Sequence, residues 1–218
     1  MKISNKIIWL RTLIALTVLL IYAYQPILCN AAEVWSDDFD DGNSDGWNIS
    51  SGDFTCANGY LETTEVAAPS TGSLIYHESS IQHGTWSFDA YLLGNEWYLL
   101  IMVDDYEFHT RMLYVEVRNT RISIGRVSGI IVSWDSPKSM SGTWTHIDVT
   151  VDDDWTINVF VNNTHRINYD TLSLDTTDYL IFNPYTVGQA IDNIIVDDEI
   201  DYESLPFPTE YIPTTETT

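Results

Sequence analysis

Acidic side chains are the groups in this sequence whose type and spacing could do chemistry. They gather in three clusters, at residues 37–41, 152–154 and 197–203. Carboxylates are ligands that hard cations prefer, and calcium takes about six to eight oxygen ligands. The same clusters could instead form a solvating surface that keeps an exported protein soluble.

The charge balance excludes two classes of function. The 218 residues hold 9 Lys and Arg against 32 Asp and Glu, for a formal net charge of −23. Lys2, Lys6 and Arg11 lie in the first 31 residues with no acid beside them, so the remainder holds 6 bases against 32 acids, a net charge of −26. A chain without a basic patch is neither a nucleic-acid binder nor a protein held by anionic lipid. With 44% hydrophobic and 13% aromatic residues it can build a core, which argues against disorder.

The N-terminus has the order of an export signal. Basic residues precede an apolar run at 12–24, and small residues follow at Ala31 and Ala32. This order predicts a signal peptide of residues 1–31, cleaved before Ala32. The alternative is an uncleaved anchor over residues 7–28, which approaches the length of about 20 residues that a membrane span needs.

The cysteines and sequons agree with export. Of Cys29 and Cys56, cleavage would leave Cys56 alone, which predicts a lone buried thiol and no disulfide framework. The sequons at Asn48 and Asn162 match the N-glycosylation pattern and predict surface loops.

Short runs of alternating apolar and polar residues continue from about residue 33 to residue 198, and no helical stripe interrupts them. The clearest runs are 85–92, 112–118, 121–125, 144–151, 156–161 and 190–196. The acidic residues 152–154 form a hairpin loop between two of them. Full alternation predicts an all-β fold of two antiparallel sheets packed face to face.

These patterns divide the chain into three parts. Residues 1–31 are the signal peptide, and residues 33–200 form one β-sandwich domain of ordinary size. Residues 201–218 begin acidic and continue rich in Thr and Pro, which is typical of an extended linker or stalk.

Motifs at both ends of the domain resemble the concanavalin A-like lectin and glucanase group of jelly rolls. The segments 37–42 and 45–47 look like its opening strand, and 190–194 looks like its closing strand. The pair 144–149 and 157–162 resembles strands of laminin-G-like and MAM-like domains. The resemblance spans residues 35–197. It implies a jelly-roll sandwich whose first and last strands lie side by side.

The resemblance also implies a structural calcium ion between those strands. Asp38 and Asp40 are two residues apart, so on a strand they would point the same way. Asp192 would join them from the closing strand, between the apolar residues Ile191 and Ile194. Alternatively, these carboxylates cap turns or sit in water.

A concave sheet in this fold commonly binds the ligand, with aromatic rings under the sugar and polar groups on its hydroxyls. The candidate ligand residues are Tyr91, Tyr98, Tyr114, Glu116, Arg118 and Trp134. The alternative for Tyr114, Glu116 and Arg118 is a solvated cross-strand pairing. Trp47, Trp86 and Trp144 are assigned to the core.

Residues Glu199–Glu203 match the Glu-x-Asp-x-Glu core of retaining β-glucanases. Such enzymes need two carboxyl groups about 5–5.5 Å apart. Here the motif follows the closing strand and runs into the tail. On a straight strand its two glutamates would be about 13 Å apart.

The sequence therefore predicts an exported, non-catalytic binding or adhesion module for carbohydrate or a glycosylated surface. Its only membrane contact would be through an uncleaved N-terminal segment. A structural component of a cell-surface protein is the alternative, and a glycoside hydrolase is the second alternative.

Overall fold

The structure is a computed structural model that describes residues 33–68, 72–79, 81–93, 96–103, 112–126, 129–170, 179–201 and 204–205. Only the backbone is described at 33–34, 96–103, 112–113 and 126. The predicted signal peptide, residues 1–31, and most of the predicted tail, residues 201–218, lie outside the described residues. No helix within the described ranges is long and apolar enough to cross a membrane.

The described part of the chain consists of strands and turns, as the alternation predicts. In chain order the strands are β1 (Glu33–Asp37), β2 (Asn48–Ser51), β3 (Asp53–Thr55), β4 (Leu61–Glu65), β5 (Leu74–Glu78), β6 (Gly84–Tyr91), β7 (Glu96–Val103), β8 (Met112–Arg118), β9 (Arg121–Arg126), β10 (Gly129–Asp135), β11 (Trp144–Val151), β12 (Thr156–Val161), β13 (His165–Asp170), β14 (Tyr179–Pro184) and β15 (Ala190–Asp197). Strands β8, β11 and β12 have the predicted bounds, and β6, β9 and β15 differ by no more than one residue at each end.

The strands form two antiparallel sheets. In the eight-stranded sheet the order is β13-β12-β11-β6-β15-β4-β3, and β1 also pairs with β15. In the seven-stranded sheet the order is β10-β9-β8-β7-β14-β5-β2. The inner faces share one apolar core, so the predicted all-β sandwich is confirmed.

Alternation along each strand decides which side chains enter that core. In β6, Trp86 and Phe88 point inward and are buried, while the residues between them are half-buried. In β8, Val115 and Val117 are fully buried against the same core from the other sheet. The alternate side chains of each sheet therefore lie on an outer face, away from the core.

The first and last strands lie side by side, as the resemblance implies. β1 pairs with β15, and Asp37 stands opposite Ile194. The strand ends at Asp37, however, so the expectation that Asp38 and Asp40 alternate on a strand is wrong. The carboxylates of Asp37 and Asp38 accept hydrogen bonds from backbone N–H groups two residues on. These bonds turn the chain at the fully buried Phe39.

Two of the three tryptophans assigned to the core lie there. Trp47 and Trp86 are buried, but the assignment of Trp144 is wrong, because this residue is 42% exposed. Thr145 and Ile147 are the inward-facing residues at the start of β11. Alternation then places Trp144 on the outer face.

The Cys56 thiol is buried, as predicted, and takes part in no disulfide within the described residues. Burial and the charge of the Asp37 carboxylate raise the pKa of this thiol to about 11. A thiol with such a pKa stays neutral and unreactive at neutral pH.

Candidate functional site

A buried carboxylate lies on the outer face of the seven-stranded sheet. Glu116, in the middle of β8, is only 1% exposed although it points away from the core. One of its oxygens accepts a hydrogen bond from Arg118 at 2.6 Å, and the other accepts one from Arg121 at 3.4 Å. A buried carboxylate needs such partners because its charge has lost water. The two arginine side chains remain about a third exposed, at 33% and 29%, although the Nε atom of each is buried.

A tyrosine ring lies beside this cluster, flat on the sheet. Tyr114 stands opposite Gly125 in the β8–β9 pairing, and a Cβ atom at Gly125 would overlap the Tyr114 ring. The glycine therefore provides the space in which the ring lies. Burial and then the charge of Glu116 raise the pKa of the Tyr114 phenol.

An apolar patch continues across the same face. Ile181, on β14, is fully buried there and packs with Leu74, Tyr76, Tyr114 and Tyr179. The rings of Tyr76 and Tyr179 meet edge to face, with 5.3 Å between their centroids. Three tyrosines thus lie on the face that also holds the two arginines.

The sequence predicted part of this face. Tyr114, Glu116 and Arg118 lie on it, and the β7 position opposite Glu116 in the strand register is Tyr98. Their roles as ligand residues stay predictions, and the side chain of Tyr98 lies outside the described residues.

Sequence reasoning missed the half of the face that β5 and β14 contribute. These missed residues are Tyr76, Tyr179, Ile181 and Asn183. The run 179–184 is apolar on both faces of its strand, so alternation marked no outer side. The pattern Tyr-x-Ile-x-Asn within that run was the sequence signal that could have identified the outer side of β14.

Two candidate ligand residues lie elsewhere. Tyr91 is on β6, on the outer face of the eight-stranded sheet. Trp134 packs against the core, with the Arg166 guanidinium 4.7 Å from the centre of its ring. A bulge between Ile130 and Val132 shifts the register of β10 and reverses the face on which Trp134 lies. The structure therefore does not bring all six candidates to one face, and their roles as ligand residues stay predictions.

The eight-stranded sheet carries a different cluster on its outer face. Nδ1 of His146 lies 2.7 Å from the Asp89 carboxylate, and its Nε2 lies 3.1 Å from that of Asp148. The hydrogen bond to Asp148 is the largest of the effects that raise the pKa of His146 to about 9, and the Asp89 bond and both charges add to it. The imidazole is therefore a cation at neutral pH.

A serine completes a constellation that resembles a hydrolase triad but lacks its chemistry. The Ser87 hydroxyl lies 3.4 Å from Nε2 of His146, yet it donates its hydrogen to Asp148 at 2.7 Å. A protonated imidazole cannot take the serine proton, so this arrangement provides no activated nucleophile.

The acidic residues proposed as calcium ligands lie in two segments, the turn after β1 and the paired strand β15. Burial raises the pKa of Asp192, and the charges of Asp89, Asp40 and Asp38 raise it further. The Asn193 amide bridges Asp192 and Asp89, at 3.4 and 2.9 Å. Among the described residues, no group of three or more acidic, histidine or cysteine side chains is close enough to hold a metal ion. The carboxylates therefore repel one another without forming a preassembled site.

The sequons and the glucanase-like motif lie at the surface. Asn48 begins β2 and Asn162 lies in the turn after β12, and both are exposed. Glu199 and Asp201 follow β15 outside any strand, and Glu203 lies outside the described residues. The motif therefore has no strand to align its carboxylates in the part that is described.

Comparison with solved structures identifies the fold. No protein-family model and no curated protein sequence matches the chain. Among solved structures, the laminarinase from Flavobacterium sp. UMI-01 has a TM-score of 0.58 at 16% identity, covering 75% of this chain and 99% of that one. The Emp47p carbohydrate recognition domain has 0.55 at 12%, covering 76% and 96%. The carbohydrate-binding module CBM66 from Bacillus subtilis has 0.54 at 11%, covering 68% and 91%. The fold is thus a concanavalin A-like jelly roll.

Proposed function

We propose that this concanavalin A-like jelly roll is an exported, non-catalytic binding or adhesion module whose carbohydrate ligand lies on the outer face of the seven-stranded sheet. Two of the similar structures are a carbohydrate-binding module and a carbohydrate recognition domain, and a third is a laminarinase. Carbohydrate is the ligand class that these three names share.

The observation that carries the proposal is the pairing of aromatic rings with a fixed charge cluster. Tyr76, Tyr114 and Tyr179 offer ring surface to the apolar C–H face of a sugar. Arg118 and Arg121 are held in place by Glu116, and their side chains are partly exposed. Guanidinium N–H groups fixed in this way suit hydrogen bonding to sugar hydroxyls at little cost in conformational entropy.

The surroundings of Glu116 favour binding over hydrolysis. A retaining glycosidase needs two carboxyl groups about 5–5.5 Å apart. The four nearest positions on this face are Tyr114 and Arg118 along β8, with Tyr98 and Ser123 opposite Glu116 on the neighbouring strands. None of these residues is acidic, and both Glu116 oxygens already accept hydrogen bonds from arginines.

A titration of the secreted protein with neutral β-glucan and other neutral oligosaccharides tests this proposal. Tyr114→Ala and Arg118→Ala should each weaken binding at least tenfold. Tyr91→Ala removes a tyrosine from the opposite sheet and should leave the affinity unchanged. If no neutral glycan binds, the structural cell-surface component is favoured instead.

A glycoside hydrolase is the second candidate, because a laminarinase shares the fold. Release of reducing sugar from β-glucan, abolished by Glu116→Gln while binding persists, would establish it. Glu199→Gln is the matched control, because it removes a carboxylate of the glucanase-like motif after β15.

We propose further that calcium binds at the closing seam, through Asp192 together with Asp38 and Asp40. Support comes from the repulsion among these carboxylates, which a divalent cation would relieve. The turn that holds Asp38 and Asp40 would have to draw closer to β15. Calcium should then raise the melting temperature and chelator should lower it, through linkage to the folded state. A melt that does not respond to chelator contradicts this part of the proposal.

Export itself is tested by the N-terminal sequence of the secreted product. Cleavage of the predicted signal peptide gives a chain that begins at Ala32. An intact N-terminus in a membrane fraction would instead identify residues 1–31 as an anchor.

A further inference from the structure

A groove of about 390 Å³ lies where an edge strand of each sheet ends, apart from both clusters described above. Strands β10 and β13, the loop 136–143 and the turn after β12 form its walls. The side chains that give it charge, ring surface and hydrogen-bonding groups are Trp134, Lys138, Trp144, Asn162, Thr164 and Arg166. We call this feature the edge groove. Its size suits one or two sugar rings.

Two cationic side chains, Lys138 and Arg166, line the edge groove. Neither Lys138 nor Arg166 forms an ion pair with any residue that the structure describes, whereas Arg118 and Arg121 both pair with Glu116. Asp135 lies next to Trp134 in the chain but stands opposite Arg121, on the other face of the sheet. In a chain of net charge −23, the edge groove is thus a local positive site.

Stacking holds Arg166 in place. Its guanidinium lies over the Trp134 ring, 4.7 Å from the ring centre, and Trp134 is packed against the core. A cation–π contact with the ring face leaves the guanidinium N–H groups able to donate to an anion. Arg166 donates to no acceptor among the described residues.

The edge groove also has an aromatic wall. Trp144 is 42% exposed, and its ring is supported by Tyr60 and Tyr91, each with a centroid distance of 5.4 Å. A supported, exposed indole is a platform for the apolar face of a pyranose. Thr164 lines the same space and adds a hydroxyl group.

We propose that the edge groove binds an acidic sugar, with the carboxylate or sulfate of the sugar on Arg166 and Lys138 and its ring on Trp144. This is a second site, and it does not depend on the ligand proposed for the seven-stranded sheet. Because the rest of the chain is strongly negative, a densely charged polyanion would be repelled. The ligand is therefore a short acidic oligosaccharide, or a polysaccharide whose acidic groups are sparse.

The sequon at Asn162 affects the design of the binding experiment on the edge groove. Asn162 lines the edge groove, so a glycan attached there would compete with a free ligand. The titrations therefore use the full chain with Asn162→Gln throughout, which removes the acceptor and keeps an amide at the position.

Calorimetry compares trigalacturonate with its methyl ester, in which neutral ester groups replace the carboxylates, and with a sulfated galactose trisaccharide. We expect one of the two acidic probes to bind at low salt, to weaken as salt rises, and to lose at least tenfold in affinity in Arg166→Ala. Lys138→Ala and Trp144→Ala should each reduce the affinity by a smaller factor. Which acidic probe binds identifies the anionic group.

Arg126→Gln is the matched arginine control, because it removes the same charge at the end of β9, and it should leave binding of the acidic probe unchanged. Failure of both acidic probes to bind, equal binding of acid and ester, or binding that survives Arg166→Ala would overturn the proposal. Because the neutral-glycan titrations test the seven-stranded sheet with different variants, either site can fail without the other.

Discussion

The outer faces of the two sheets each hold one charged group between two groups of opposite charge. On the seven-stranded sheet, the Glu116 carboxylate lies between Arg118 and Arg121. On the eight-stranded sheet, the His146 imidazole lies between Asp89 and Asp148. The first cluster has an excess of positive charge and the second an excess of negative charge.

This difference decides what each face can do. Arginine does not titrate below about pH 12, so the first cluster keeps its geometry at every physiological pH. A histidine loses its charge as its pKa is passed, so the second cluster changes with pH. Constant geometry beside aromatic rings suits ligand binding, whereas the histidine cluster ties β6 to β11.

The largest effect should come from breaking the first cluster. Glu116→Gln leaves two guanidinium groups beside each other without their carboxylate, in a largely buried position. We expect the free energy of unfolding to fall by about 2–3 kcal/mol, less than for a fully buried pair because the arginines are partly exposed. The loss should be the same at pH 6 and pH 9 in denaturant titrations.

Asp135→Asn is the control for that change. It removes an exposed carboxylate that stands opposite Arg121 on the same sheet and forms no ion pair with any described residue. Its effect should be below about 0.5 kcal/mol. A loss as large as that of Glu116→Gln would show that general charge balance, rather than the arginine pair, is responsible.

A somewhat smaller effect is expected at the tyrosine beside that cluster. Gly125→Ala places a Cβ atom where the Tyr114 ring lies, so the ring must leave the sheet. Stability should fall by about 1–2 kcal/mol, and affinity for neutral glycan should fall with it. Ser123→Ala, on the same strand and face, removes a buried hydroxyl with no hydrogen-bond partner in the described part of the chain and should be neutral or stabilising.

The contribution of the histidine cluster to stability should depend on pH. The folded-state pKa of His146, about 9, lies above the unfolded value near 6.5. Its contribution is therefore fully present below pH 6.5 and is lost as pH rises towards 9. His146→Gln should lower the melting temperature by about 2–4 °C at pH 6 and have little effect above pH 9.

The contribution of His165 to stability should have the opposite pH dependence to that of His146. Burial lowers its pKa, so it opposes folding as pH falls below about 6.5. His165→Gln should therefore reduce the loss of stability on the acid side and leave the alkaline side unchanged. If both variants shift the curve in the same direction, the two histidines do not differ as their surroundings indicate.

Alternation along the sequence predicted local structure well. Strands β8, β11 and β12 have the bounds that their patterns gave, because each has one apolar and one polar side or lies beside a clear turn. The side-by-side placement of the first and last strands followed from the resemblance, and β1 and β15 confirm it.

The alternation of apolar and polar residues does not predict which strands and side chains come together in the candidate site. Tyr91 and Tyr98 are seven residues apart, yet β6 and β7 belong to different sheets, and only contacts distant in sequence decide that. One extra residue in β10 moved Trp134 to the inner side. Asp38 and Asp40 left their strand because their own region forms hydrogen-bonded turns that no alternation pattern registers.

The smallest effect concerns the closing seam, where the charges that act on Asp192 are those of Asp89, Asp40 and Asp38. Burial and three carboxylates raise its folded-state pKa, so its ionised form opposes folding once pH rises above the unfolded value near 3.8. In chelator at pH 7, Asp192→Asn should therefore raise the melting temperature by about 1–2 °C. In millimolar calcium the same variant should be less stable than the parent, because the proposed site has lost a ligand. Asp45→Asn, an exposed acid in the opening segment, should do neither. If Asp192→Asn stabilises the protein equally with and without calcium, the proposed calcium site is contradicted. The repulsion among the carboxylates at the seam would then be present in the folded protein without a bound ion to relieve it.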